Sequence, residues 1–141
     1  MSGGSASPSP VKRLKQRREF LAVAATGRRW VTPAFVLQAG PRPAETDQEA
    51  ERPAIGLGFT ASRRVGGAVE RNRARRRLVE AARKLLPDAA EPGYNYVIIA
   101  RPVVLTCVFD RLLSDLTTAF SRVTRRGRRP KPKAGAGRPG S

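Results

Sequence analysis

Between Ser62 and Lys84 the chain gathers cations at a density that suits a polyanion. Arg63 and Arg64 are followed by Arg71-Asn72-Arg73 and Arg75-Arg76-Arg77, then by Arg83 and Lys84. Seven cations between positions 71 and 84 meet only Glu80 as an acid. A solvated helix face ordinarily mixes signs to gain i,i+4 pairs. Unpartnered, such a face weakens its own helix, whereas against phosphates each guanidinium gains charge-assisted, often bidentate bonds. The preference for Arg over Lys points the same way, to phosphates and base edges. Val65-Gly66-Gly67 lies just before the cluster. Backbone N–H groups at a helix start there would carry partial positive charge and suit a phosphate. A nucleotide-binding P-loop is excluded, because Ala68-Val69 follows the glycines in place of Lys and Ser or Thr.

The whole chain repeats the message. Its 141 residues hold 28 Lys and Arg against 11 Asp and Glu, a net charge of +17. Such self-repulsion is usually the mark of a polyanionic partner. There is no histidine, so the usual general base and commonest metal ligand is missing. No acidic cluster suggests a metal site made by the protein. Cys107 is the single cysteine, which rules out an intrachain disulfide and reads as a small buried apolar residue. No segment approaches transmembrane length, no apolar signal core opens the chain, and no lipidation signal is evident, so a cytoplasmic protein without a membrane partner is expected.

The elements that must position these groups can be read from periodicity. Arg17 to Thr26 has Phe20, Val23 and Ala24 at helical spacing and is followed by Gly27, predicting a short helix. Trp30 to Ala39 is rich in β-formers, but Pro33 suits an edge or a bulge. Gly40 to Arg52, with Glu45, Asp47, Glu49 and Glu51, reads as a loop. Ala54 to Ala61 alternates Ile55, Leu57 and Phe59 with small residues, a half-buried strand. Gly56 and Gly58 bare its other face, either for close packing or for a ligand. Ala68 to Leu86 carries Ala74, Leu78, Ala81, Ala82 and Leu85 on one stripe, with Arg73, Arg76, Arg77, Arg83 and Lys84 on a broad arc away from it. Pro87 marks its end. Tyr94 to Arg101 is a β-branched strand closed by Pro102. Thr106 is a candidate cap for a last helix that buries Phe109, Leu112, Leu113, Leu116, Phe120 and Val123.

This order predicts an α+β layer, with helices packed on a small mixed sheet. Residues 1–11 and 125–141 hold no large apolar side chain apart from Met1 and Val11, and are expected to be disordered tails, the second a basic arm for RNA. The domain is expected over residues 12–124. Most aromatics are expected in the core. Phe20, flanked by Arg17 and Arg18, is also suited to stacking on an unpaired base. Composition alone does not separate RNA from DNA. A DNA regulator would want a helix-turn-helix, and here a strand precedes the basic helix. A structural RNA-binding protein, such as a ribosome component, stays open.

Ser62-Arg63-Arg64-Val65-Gly66, then Ala68-Val69, then Arg71-Asn72-Arg73-Ala74-Arg75-Arg76 resemble, in spacing as well as type, the signature of bacterial ribonuclease P proteins. Arg13-Leu14, Arg18-Glu19-Phe20, Gly27 and Phe35-Val36-Leu37 resemble that family's N-terminal third, and Tyr96 to Arg101 its last strand. The resemblance implies a compact α-β sandwich with a mixed four-stranded sheet and a left-handed βαβ crossover, an exception to the usual handedness. It implies a non-catalytic partner of the ribonuclease P RNA, which carries the active site and its Mg²⁺ ions, in a holoenzyme that removes the 5′ leader of precursor tRNA. No obligate protein partner is implied. Carried over by position, the RNA-facing residues are Arg63, Arg64, Gly66, Arg71, Asn72, Arg73, Arg75 and Arg76, and the leader cleft contains Phe20. Four positions depart from the family's habit: Gly67 for Asn, Val79 for Arg, Ala24 for a second cleft aromatic, and Gln38 for a tyrosine carried by some members.

Overall fold

The computed structural model describes residues 10–43, 53–86 and 88–128. In chain order the elements are β1 (Val11–Arg13), α1 (Arg17–Ala25), β2 (Arg29–Val31), β3 (Phe35–Pro41), β4 (Ile55–Ala61), α2 (Ala68–Leu85), β5 (Tyr94–Ala100), a 3₁₀ turn (Pro102–Leu105) and α3 (Phe109–Arg128). One mixed sheet has the order β1-β4-β5-β3-β2. β4 pairs in parallel with both β1 and β5, while β3 runs antiparallel to β5 and to β2. The basic helix α2 is thus the crossover between two parallel neighbours, β4 and β5.

Period-two alternation divides the sheet into two unequal faces. Phe35, Leu37, Ile55, Leu57, Phe59, Tyr96 and Ile98 point to the side covered by α2 and α3 and form the main core with Leu78, Leu112, Leu116, Phe120 and Val123. Tyr96 lies at its centre. Its ring meets Phe120 edge-on at 5.0 Å, and its hydroxyl accepts the Glu91 N–H at 2.9 Å. Burial pushes this phenol far above its ordinary ionisation range, so the group stays neutral. Among the described residues the opposite face carries only α1, over a small cluster of Leu14, Val23 and Val97 with Phe20 and Ile99 at its margin.

The sheet has five strands where four were expected. The additional strand is β1, whose first residue, Val11, falls in the expected N-terminal tail. Three residues are too few to show a period, and their pairing with β4 is a tertiary event. Residues 30–39 divide into β2 and β3, because Pro33 sits in the tight turn between them. There the Thr32 hydroxyl donates to the Phe35 carbonyl at 2.8 Å and accepts the Phe35 N–H at 3.0 Å. Thr106 does not cap α3: its hydroxyl turns back to the Val103 carbonyl at 3.4 Å, and the helix begins at Phe109. α3 runs to Arg128, into the segment expected to be a tail. Cys107 is half-buried against the main core. The acidic stretch from Glu45 to Glu51, Pro87, the first nine residues and residues 129–141 lie outside the described residues.

Candidate nucleic-acid interface

α2 buries a narrow stripe of Ala74, Leu78, Ala81 and Ala82, with Leu85 half-buried, which is the stripe its spacing predicts. Small alanines let the helix lie close to the sheet and the long cationic side chains project away from it. Asn72, Arg73, Arg76, Arg83 and Lys84 are exposed, as are Arg63 and Arg64 on the turn before the helix. The guanidinium groups of Arg63, Arg64, Arg73 and Arg76 make no hydrogen bond or ion pair among the described residues.

Three arginines of the cluster are held by the protein itself. Arg71 donates to the Gly66 carbonyl at 3.0 Å. Arg75 donates to Oδ1 of exposed Asn72. Arg77, counted from the sequence in the outward arc, turns back to the Val104 carbonyl at 3.0 Å, its guanidinium 5.7 Å from the centre of the Phe109 ring. It ties α2 to the 3₁₀ turn. Spacing placed it on the correct side of the helix but could not show that a carbonyl lies within its reach.

The start of α2 is less open than the sequence suggests. Glu70, in the first turn, accepts the Gly67 N–H at 3.0 Å, so the helix supplies an anion to its own N-terminus. Gly66 makes this geometry possible. Its φ is +145°, and a Cβ there would lie 2.7 Å from Cβ of Glu70. Gly67, at φ −78°, would place a Cβ no nearer than 3.3 Å to Glu70. Gly66→Ala is therefore expected to cost about 1–3 kcal/mol of stability and Gly67→Ala markedly less. Thermal unfolding of the two variants checks this; equal losses would show that the turn is not constrained at Gly66.

A second feature lies on the α1 face. The α1 start is capped by Glu19, whose carboxylate accepts the N–H groups of Gln16 and Lys15, each at 3.0 Å. The bond from Gln16 is the chief cause that holds this carboxyl below its ordinary range. One turn further into α1 lies Phe20, half-buried, its ring edge against Gly58. A Cβ at Gly58 would stand 2.7 Å from two carbons of that ring. A Cβ at Gly56 would collide with Asn95, whose Oδ1 accepts from Arg42 at 2.9 Å. The two glycines thus serve close packing. Ala24 is exposed and offers no platform.

Beyond Phe20 the sheet is only partly covered. By register Val36 pairs with Ile99 and Ile99 with Thr60, all half-buried on this face, and Val31, opposite Val36, is 47% exposed. Gln38 and Arg29 pair at the next α1-facing position. Of this surface the sequence pattern marks only Phe20, and the floor of Val36, Ile99 and Thr60 emerges from the strand register. Alternation marks these residues as one face, but whether a helix covers them depends on where α1 lies.

A parallel-crossover α+β domain whose crossover helix and preceding turn carry exposed arginines unpaired among the described residues is, as a class, a basic domain suited to a polyanion. The model of the family Ribonuclease P matches residues 9–124. The chain is 46% identical over 111 residues to the Ribonuclease P protein component of Paramagnetospirillum magneticum, covering 79% of this chain and 81% of that one. To the protein of the same name from Ruegeria pomeroyi it is 44% identical over 125 residues, covering 88% and 92%. The RNase P protein of Thermotoga maritima superposes with a TM-score of 0.63 at 23% identity, over 79% of this chain and 96% of that one. That of Staphylococcus aureus gives 0.60 at 20% identity, over 82% and 94%. The chain belongs to the ribonuclease P protein family. It is a protein component of ribonuclease P, the endoribonuclease of tRNA 5′ processing, and the ribosome-component reading is not favoured.

Proposed function

We propose that the turn Arg63–Gly66 and the exposed face of α2 hold the ribonuclease P RNA, and that the open sheet face beside Phe20 takes the single-stranded 5′ leader of precursor tRNA. The observation that carries this reading is the set of four exposed guanidinium groups at Arg63, Arg64, Arg73 and Arg76 without a partner among the described residues. Arg71, Asn72 and Arg75 act beside them: Arg71 braces the turn through the Gly66 carbonyl, and Arg75 braces the first helical turns through Asn72. On the other face the half-buried apolar floor offers a flat surface for unpaired bases, with the Phe20 ring at its edge.

In this reading the protein positions RNA and does not perform the cleavage. Among the described residues no group of three His, Cys, Asp or Glu is placed to hold a metal ion. The Mg²⁺ ions belong mainly to the RNA, where they would activate water and stabilise the leaving oxygen. The cytoplasm is the proposed setting; no described helix is long and apolar enough to cross a membrane.

The test is reconstitution. Purified protein free of RNA, mixed with precursor tRNA and Mg²⁺, is expected to leave the precursor intact. Adding the ribonuclease P RNA should yield cleavage at the mature 5′ end under conditions where neither component alone is efficient. Specific 5′ cleavage by protein preparations pretreated with ribonuclease would overturn the assignment of roles.

A further inference from the structure

The sheet extends one strand beyond its helix layer. α2 packs over β4, and β1 lies outside it as an edge strand, so no described helix roofs the side of β1 that faces the helix layer. The result is a slot of about 300 Å³ between β1 and the C-terminal half of α2. Leu57 and Phe59 of β4 form its floor, and Val11 and Val79 its two apolar walls. Val11 is 40% exposed. Arg13 stands on one rim and Arg83 on the other, and no acidic side chain among the described residues lines the slot.

Two features favour one kind of occupant. Arg83 is exposed and has no hydrogen bond or ion pair among the described residues. The Arg13 guanidinium lies 4.9 Å from the centre of the Phe59 ring. A guanidinium held against an aromatic ring offers a second planar surface, and RNA-binding proteins stack unpaired bases on such planes. An apolar cleft with a cation on each rim matches a nucleotide, whose flat base is apolar and whose phosphates are anionic.

We propose that this slot receives a single unpaired nucleobase of RNA, with Arg13 and Arg83 on the flanking phosphates. The inference rests on the RNA-binding reading of α2, since Val79 and Arg83 lie on that helix. It adds a site that is distinct in kind, because Arg73 and Arg76 nearer the start of α2 would meet backbone charge whereas the slot would select an extruded base. It is also separate from the cleft beside Phe20, which lies on the opposite face of the sheet.

Chemical modification of Watson–Crick edges by dimethyl sulfate tests it, with the ribonuclease P RNA bound to the wild-type protein, to Val79→Phe and to Arg83→Ala. Val79→Phe fills the slot; Arg83→Ala changes only an exposed side chain and keeps the test valid if the first variant unfolds. One unpaired adenine or cytosine protected by the wild type should become reactive with both folded variants, and affinity should fall about tenfold, the loss of one stacked base. Repeating the experiment with precursor tRNA present separates the sources: a base that gains protection only then comes from the precursor. Double replacement of Arg73 and Arg76 serves as the control for the broader reading, and should weaken binding whether or not the slot is used. If that control weakens binding while the slot variants leave the modification pattern and affinity of both RNAs at wild type, the slot holds no base and the inference is overturned. That result would equally exclude RNA from a slot occupied by another part of the chain.

Discussion

Replacing Arg63, Arg64, Arg73 and Arg76 together with alanine is expected to reduce the slope of log affinity against log salt, for the ribonuclease P RNA, by about 3. Each lost phosphate contact removes about 0.7–0.9 from that slope, depending on RNA form. Affinity at moderate salt should fall by about two orders of magnitude. The fold should survive, because all four side chains are exposed and none has a partner among the described residues. Removing four like charges from a chain of net charge +17 relieves self-repulsion, so melting should hold steady or rise slightly. The pair Arg73→Ala and Arg76→Ala alone should lower the slope by roughly 1–2. By contrast, Arg77→Ala should act mainly on stability, since its guanidinium spans to the Val104 carbonyl and Phe109. Salt titrations of binding paired with thermal melts distinguish these outcomes. A folded quadruple variant with a wild-type slope would show that the arc is only a solvated surface.

The second large effect is expected at Phe20. Its ring is half-buried, packed on Gly58 and beside Leu14, Val23 and Val97. A fully buried phenylalanine costs about 3–5 kcal/mol when cut to alanine, and partial burial should bring the stability loss to about 1–3 kcal/mol. If the exposed part of the ring stacks on a leader base, precursor binding loses a further 1–3 kcal/mol or about 5- to 150-fold. Mature tRNA, which has no leader, should be bound as before. Gly58→Ala supplies the complementary case. Its new Cβ would lie 2.7 Å from the ring, so the ring must shift while remaining present. This variant should also lose discrimination between precursor and mature tRNA. The readout is holoenzyme affinity for both RNAs alongside melting temperature. A large drop in melting with unchanged discrimination in both variants would make Phe20 a packing residue and remove it from the leader cleft. With Ala24 exposed and Gln38 polar, Phe20 is the aromatic that the described residues place on this face, so the expected effect falls on one ring.

The arginine-rich helix was legible in the sequence because its information is local. A 3.6-residue period of Ala74, Leu78, Ala81 and Ala82 defines the buried side, and charge excess on the rest of the circumference marks a side suited to a polyanion. β4, β5 and α3 were legible as elements for the same reason, but β4, expected as half-buried, is buried on both faces from Ile55 to Phe59 because Asn95 and the Phe20 ring cover its glycine side, and Phe109 and Leu113 of the α3 stripe are only half-buried. The nature of the partner as RNA rested on the spacing from Ser62 to Arg76, a resemblance that the family match bears out.

What sequence could not supply depends on which elements become neighbours. β1 is a strand only because β4 offers it an unpaired parallel edge, and three residues carry no periodic signal of their own. Pro33 could mark an edge, a bulge or a turn, and pairing of β2 with β3 decided for the turn. Gly56 and Gly58 could equally admit a ligand or a neighbour; Asn95 and the Phe20 ring occupy their space. Seven cations of α2 look alike in one dimension, yet Arg77 meets a carbonyl 27 residues away while Arg73 and Arg76 meet none among the described residues. By itself the sequence determined the charge, the helical stripe and the motif spacing, all properties of short stretches. The division of arginines into braces and exposed cations, the half-buried floor of the sheet and the slot beside β1 were decided by tertiary structure, because each depends on long-range packing that local pattern does not encode.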